Sequence, residues 1–343
     1  VWNRPIAYPP MFYWTYVWTR AFDIFADAVR LWKWVIPILV LPSFFAFAKP
    51  AARRQAGPVE TGFFWLLLMG QFPMQFAIER CNSDAPVVAF WALAAWAAIR
   101  KRSLVLAGFC AGLAASMKVY PAIGLAVAGI GMFGLSEPGK ISWRAPIRFG
   151  TGAAAAIAAS ILPLWHQFVI WVTQVLPAFS KQAPGMQIYS HSVPELADAL
   201  GHPLWAPVTS AVLGASWAVV CLRQMRARPE LCFAGALAMS TYCARTSYDY
   251  NLLTAYPLLL VLFVDTARRG LRSVETGWAL LGLGLLSITG DRHLFLDPSY
   301  VKAHVVLQIV WLLLVAAYYG LYEPFGIRAR SPIPLDATPL QRS

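Results

Sequence analysis

Charge is what this sequence has least of. Asp, Glu, Lys and Arg make up 13% of its 343 residues, against about 25% in an ordinary soluble domain. A soluble helical protein needs polar faces to cover its core, and a chain that is 59% hydrophobic does not supply them. Paired cysteines are missing too. Cys81, Cys110, Cys221, Cys232 and Cys243 form no Cys-x-x-Cys pair, so neither a structural disulfide nor a zinc site is supported. There is no Gly-x-Gly-x-x-Gly fingerprint, no phosphate-binding Gly-rich loop ending in Lys-Ser/Thr, no zinc-type His/Glu spacing and no Asp-x-Asp pair. Dinucleotide, nucleotide and metal–nucleotide-sugar sites therefore have no sequence support, and no metal or other cofactor is expected. No linker, low-complexity stretch or clear internal repeat divides residues 1–343, which read as a single domain.

What is present is a series of apolar runs at 34–48, 61–78, 85–99, 103–117, 120–135, 149–165, 207–222, 231–246, 252–265, 276–290 and 303–322. A hydrocarbon core about 30 Å thick takes about 20 apolar residues per helix. Many of these runs are shorter, so flanking aromatic and polar residues must complete them. The class expected is all-α: a polytopic integral membrane protein with about eleven transmembrane helices.

The net charge of +12 suggests nucleic acid until its distribution is read. Basic residues come in threes at alternate connections: Lys49/Arg53/Arg54, Arg100/Lys101/Arg102, Lys140/Arg144/Arg148, Arg223/Arg226/Arg228, Arg268/Arg269/Arg272 and Arg328/Arg330/Arg342. The connections between them hold single cations: Arg80, Lys118, Lys181, Arg245, Arg292 and Lys302. The positive-inside rule puts the triplets in the cytoplasm, the 323–343 tail included, and the others outside. The partner implied is the lipid bilayer of a bacterial-type plasma membrane, not nucleic acid. Residues 1–33 then form an outer or interfacial segment. The longest outer connection is 166–206, with an interface-lying helix at 167–179. The chain opens on Val1, with no signal sequence, and the expectation is that a first helix and first outer loop precede it.

The outer connections collect the unusual polar residues. Glu79-Arg80-Cys81-Asn82-Ser83-Asp84 packs two carboxylates, a guanidinium and an amide into six residues between two apolar runs. Lys118 sits in Ala115-Ser-Met-Lys-Val-Tyr120-Pro121, a tight junction between two short runs. A lysine there either snorkels to water or pairs with an anion. His191 follows in Tyr189-Ser-His-Ser-Val193, and then comes Arg245-Thr-Ser-Tyr248-Asp249-Tyr250-Asn251. Each alone reads as a solvated helix end. Together they gather cations and carboxylates on the less basic side, where a lipid phosphate would call for them.

These residues resemble glycosyltransferase family 87. The resemblance is carried by Glu79–Asp84, by Gly108…Gly112-Leu-Ala-Ala-Ser-Met-Lys118-Val-Tyr120-Pro121, by Ala7-Tyr8-Pro9-Pro10, by Ser247–Leu252 and by His191-Ser192-Val193. It implies a GT-C type helical bundle that transfers a hexose, often mannose, from a polyprenyl-phosphate-linked sugar donor to a lipid or glycan acceptor on the outer face. Arg80, Lys118 and Arg245 would contact the donor phosphate. Glu79, Asn82, Tyr120, Tyr248, Asp249 and Asn251 would bind substrate. Cys81 departs from the glycine expected at its position. The family's catalytic aspartate belongs to the first outer loop, ahead of Tyr8, which leaves Asp84 and His191 as the catalytic candidates within this sequence. The competing reading, a polytopic transporter or lipid flippase, would place polar groups near the bilayer midplane and show repeated halves.

The charge pattern makes topology directly testable. A reporter active only in the cytoplasm, fused within 49–57, is expected to be active, and the same reporter within 182–190 silent. The reverse pattern would invert the assignment.

Overall fold

The computed structural model describes residues 9, 21, 24–43, 46–47, 58–79, 84–136, 141–181, 191–244, 247, 249–269, 273–287 and 298–322. Every element among them is helical. In chain order they are α1 (Phe25–Ser43), α2 (Pro58–Met69), α3 (Phe72–Glu79), α4 (Asp84–Ile99), α5 (Leu104–Met117), α6 (Pro121–Gly131), α7 (Arg144–Ile161), α8 (Val193–Ala199), α9 (Trp205–Gln224), α10 (Pro229–Tyr242), α11 (Tyr256–Arg269), α12 (Val274–Ser287) and α13 (Pro298–Ala317). A 3₁₀ turn, Asp249–Ala255, leads into α11.

α10 is the centre. All fourteen of its residues are buried, as befits a helix with no polar face to offer its surroundings. It packs against α4, α6, α9, α11 and the 3₁₀ turn. Trp91 of α4 fills the space beside Phe233 of α10, and its indole N–H donates to the Phe233 carbonyl at 2.7 Å. The ring is thereby buried without an unsatisfied donor.

Small residues set the helix spacing. A Cβ on Gly108 of α5 would stand 1.8 Å from the Phe149 carbonyl oxygen of α7, and one on Gly152 would stand 1.9 Å from that of Val105. Gly112 meets Ala153 in the same way, at 2.7 Å. Residue 108 pairs with 149 and 112 with 153, so α5 and α7 run parallel, with α6 returning between them. Apolar helices gain little from burying oil against oil in a bilayer, and this backbone approach supplies the dispersion contacts that hold them. On α10, Gly235 makes room for the Trp217 ring, which a Cβ would strike at 1.8 Å.

The periphery is apolar. Trp34, Leu66, Leu162, Val208 and Leu280 are all more than half exposed, as expected where lipid is the solvent. Three helical runs among the described residues are long and apolar enough to cross a membrane: Arg144–Ala178, Trp205–Gln224 and Lys302–Leu321. Four more are apolar but shorter: Leu104–Met117, Pro121–Leu135, Asn251–Thr266 and Val274–Ser287. That is fewer than the eleven full spans expected. The short ones stop because polar breaks interrupt them. Ser103 caps α5, its hydroxyl accepting from the Leu106 N–H, and the extended backbone of Lys118 (φ −142°, ψ 152°) ends it. Pro121 then opens α6. Fourteen residues rise only about 21 Å.

Two expected boundaries shift. α1 starts at Phe25, so Asp27, Arg30 and Lys33 lie on its opening turns, with Arg30 and Asp27 paired at 3.1 Å. Residues 167–179 are helical, but they continue α7 through a 3₁₀ turn (Leu162–Leu164) and a π turn (Trp171–Val175) to Lys181. The run Arg144–Ala178 is 35 residues, about 50 Å, so it outreaches the hydrocarbon core unless tilted. Residues 8–22 lie outside the described set apart from Pro9 and Ala21, and the 323–343 tail lies wholly outside it.

A buried polar cluster closes the bundle at the start of α10. Arg228, just before α10, pairs with Asp265 of α11. Tyr319 donates to the same carboxylate at 2.9 Å and lies under the guanidinium, 4.6 Å from ring centroid to Cζ. Tyr318 donates to Glu275 of α12 at 2.7 Å. Arg223 and Gln224, at the end of α9, donate to the carbonyls of Gly320 and Tyr319. Arg228, counted from sequence among the basic residues of the cytoplasmic side, is a buried tie among α10, α11 and the turn after α13.

The α5–α7 contact predicts a graded glycine series. Gly152→Ala is expected to destabilise by about 1–3 kcal/mol through overpacking. Gly150→Ala, two residues away with nothing within 4 Å of its would-be Cβ, should be neutral or slightly stabilising. Thermal unfolding in one detergent would compare them, and equal losses would refute the close crossing.

Candidate functional site

At the opposite end of α10, about 20 Å from Arg228, four helix ends meet around one carboxylate. Asp84 is the first residue of α4 and is fully buried. Its position in the first turn sets its charge against the positive end of its own helix dipole. Lys118, between α5 and α6, brings Nζ to 2.8 Å from Asp84 Oδ1 and is itself 3% exposed. Tyr120 donates its hydroxyl to the same oxygen at 2.5 Å. Asn251, in the 3₁₀ turn before α11, donates Nδ2–H to Oδ2 at 2.9 Å.

The extended residue at 118 makes this possible. Had α5 continued as helix, Lys118 and Tyr120 would point about 200° apart around its axis. The break turns both toward α4. The Asn251 turn is held in its own right: Thr254 donates to the Asn251 carbonyl at 2.8 Å and shares a hydroxyl hydrogen bond of 2.6 Å with Thr241 of α10. A buried carboxylate is tolerated only when paired and hydrogen-bonded, and here both oxygens are engaged.

A second polar unit adjoins the first through Ser247, four residues before Asn251 in the chain. The His191 N–H donates to the Ser247 carbonyl at 2.6 Å. Ser192 donates to the Ala244 carbonyl at 2.7 Å and accepts from the Glu195 N–H at 3.2 Å, capping α8. The fully buried His191 ring places Nδ1 at 2.6 Å from the side-chain amide of Gln308 on α13. Gln308 is in turn 3.3 Å from His304 Nε2, and that nitrogen is 2.8 Å from the Leu285 carbonyl.

Of the residues singled out by sequence, Asp84, Lys118, Tyr120 and Asn251 come together directly, and His191 stands one turn away. Glu79 ends α3 and Asp249 opens the 3₁₀ turn. Arg80, Asn82, Arg245 and Tyr248 lie outside the described residues. Gln308 and His304 were missed. Their signal was two polar side chains four apart in a run otherwise read as a lipid-facing span, where a polar group marks an inward face. Among the described residues no group of three or more His, Cys, Asp and Glu is placed to hold a metal ion.

No protein-family model matches this chain, and no curated protein or solved structure matches it. Function is therefore argued from the site.

The ion pair predicts strong energetic coupling. Asp84→Asn or Lys118→Met alone leaves a buried charge without its partner and should cost about 3–5 kcal/mol. The double variant should lose clearly less than the sum. Additive losses in a double-mutant cycle on thermal stability would mean that the two side chains do not interact.

Proposed function

We propose that this protein is a membrane hexosyltransferase, first of all a mannosyltransferase, using a polyprenyl-phosphate sugar donor and a lipid or glycan acceptor on the outer face. One observation carries the reading. Three motifs quoted for the resemblance lie as far as 167 residues apart, yet Asp84, Lys118 with Tyr120, and Asn251 converge on a single buried carboxylate. The fourth motif, at His191, is hydrogen-bonded to the third.

The chemistry suits such a site. The acceptor oxygen bonds to the anomeric carbon as the bond from that carbon to the phosphate oxygen breaks. The electron pair leaves with polyprenyl phosphate, a stable anion, so no strong general acid is required. Preorganised cations stabilise the charge developing on the phosphate, most effectively where water is scarce. Lys118 is one such cation, with Arg80 and Arg245 joining it. The acceptor hydroxyl's proton goes to a carboxylate, for which the resemblance implies the first outer loop. Asp84, with both oxygens engaged, acts by holding Lys118 and Asn251 in place.

A second reading, a transporter or lipid flippase, draws on the same break at Lys118. Discontinuous helices with buried polar groups are how many transporters build a substrate site.

The two separate in one experiment. Purified protein in vesicles is supplied with radiolabelled polyprenyl-phosphate mannose or glucose and a membrane lipid extract as acceptor. Label is expected to move to a lipid or glycan product, and Lys118→Ala should reduce this at least about 100-fold, the scale of losing one charge-stabilising donor. Absence of transfer together with sugar or lipid counterflow would overturn the enzyme in favour of the transporter.

A further inference from the structure

We propose that the exposed basic surface where α5 and α7 begin side by side binds the headgroup of an anionic phospholipid from the leaflet on that side of the membrane. The inference goes beyond the transferase reading and does not depend on it. It concerns the end of α4 opposite Asp84, about 24 Å away along the helix.

The cations come from two separate segments. Arg100, Lys101 and Arg102 fill the turn between α4 and α5, while Arg144 and Arg148 stand on the first two turns of α7. Gly108 faces Phe149 and Gly112 faces Ala153 across the parallel crossing. The same offset, carried back toward both N-termini, sets the first turn of α7 level with the 100–103 turn. Lys101, Arg102, Arg144 and Arg148 are exposed. α5, α6 and α7 carry no Asp or Glu, and from residue 85 to 194 the sequence holds one acidic residue, Glu137. Positive charge thus accumulates here with little to balance it from the helices that carry it.

The turn keeps its cations close together. Arg102 is the one non-glycine residue among those described with a positive φ, 54°, a conformation that glycine adopts freely and arginine does not. It lets α4 end and α5 begin within four residues, with the Ser103 N–H donating to the Ala97 carbonyl at 3.1 Å. Lys101 Nζ lies 5.4 Å from the centroid of the Trp96 ring, so its stem runs along apolar surface while the ammonium stays outside.

Apolar surface flanks these cations, and it selects the partner. Trp143 and Ile147 are more than half exposed, and Val105 and Leu106 of α5 are exposed as well. A phospholipid meets both features: its phosphate takes the cations and its acyl chains cover the apolar side chains. A soluble polyanion such as a nucleic acid would engage the cations and leave the apolar flank bare.

The test uses the whole protein in detergent with equal amounts of phosphatidylglycerol and phosphatidylcholine, and native mass spectrometry counts the lipids retained. Phosphatidylglycerol is expected to be retained in preference. Arg102→Gly and Arg148→Gln should each weaken its retention about fivefold, the scale of one cation near an anionic membrane surface, and leave phosphatidylcholine unchanged. Arg226→Gln, which removes a cation from a different basic triplet, should change neither. Arg102→Gly should unfold near the wild-type temperature, because relief of the left-handed backbone offsets the entropy that glycine adds to the unfolded chain. Weaker retention at unchanged stability separates binding from folding. No preference for phosphatidylglycerol, or an equal loss in Arg226→Gln, would overturn the proposal and leave only diffuse attraction to a basic protein. A single-stranded oligonucleotide that displaces phosphatidylglycerol from the wild type would overturn the choice of partner. If Arg102→Gly does not fold, Arg148→Gln decides alone.

Discussion

The contact between Asp84 and Lys118 governs how this bundle closes. Moving either charge out of water is costly, and the cost is offset only if each finds the other with good geometry. Meeting that condition sets several backbone features together. α4 must start at residue 84, α5 must stop at 117, and the chain must stay extended at 118 before Pro121 begins α6. The 3₁₀ turn at 249–255 must lie close enough for Asn251 to reach the second carboxylate oxygen. Any of these elements could shift by a turn in a purely apolar bundle, where the packing of similar side chains discriminates weakly between registers. A single carboxylate requiring three donors does not permit that.

The small residues give the middle of the bundle a similar specificity. Gly108, Gly112 and Gly152 let α5 and α7 approach to backbone contact, and Gly235 admits Trp217 to the face of α10. α6 is seated instead on α9 and α10, Gly124 meeting Ala236 and Gly131 meeting Cys221, which locates the Lys118–Tyr120 break at its start. The far end is closed by Arg228, Asp265 and Tyr319. The central helix is thus pinned at both termini by polar groups and along its length by a tryptophan seated over a glycine.

How much of this was legible in the residues depended on which physical signal each one carried. The membrane class followed from scarce charge and from basic triplets alternating with single cations. The residues of the polar centre stood out because Asp84, Lys118 and Asn251 flank apolar runs, where polarity needs a reason. Their mutual contact was not legible, since nothing local links residue 84 to 251. The run 103–117 matches α5 to within a residue, but its flanks do not extend it to a full span. Hydropathy registers composition, while α5 is cut to fourteen residues by a cap and an extended lysine. The stretch at 167–179 looked separate because Pro163 and polar residues interrupt its pattern, yet a 3₁₀ turn and a π turn absorb them without ending the helix. His304 and Gln308 went unread because two polar side chains hardly alter the hydropathy of a twenty-residue run. Arg228 was counted with its basic neighbours, and only packing reveals that it is inside.

The charge balance around Asp84 bears on how a phosphate would be received. Asp84 and Lys118 form an electroneutral pair, so Lys118 does not present a full positive charge to an incoming anion. For a lipid phosphate to be held, either further cations must approach or the lysine must divide its three N–H donors between the carboxylate and the phosphate. Both routes suit the sequence. Arg80 lies four residues before Asp84, and Arg245 lies six before Asn251, so the same chain segments that supply the carboxylate and its amide partner also carry a guanidinium each. In that arrangement Asp84 orients Lys118. On the transferase reading, the two arginines would supply the excess charge that a phosphate requires. On that reading the carboxylate is part of the scaffold for cations, its two oxygens taken up by Lys118, Tyr120 and Asn251.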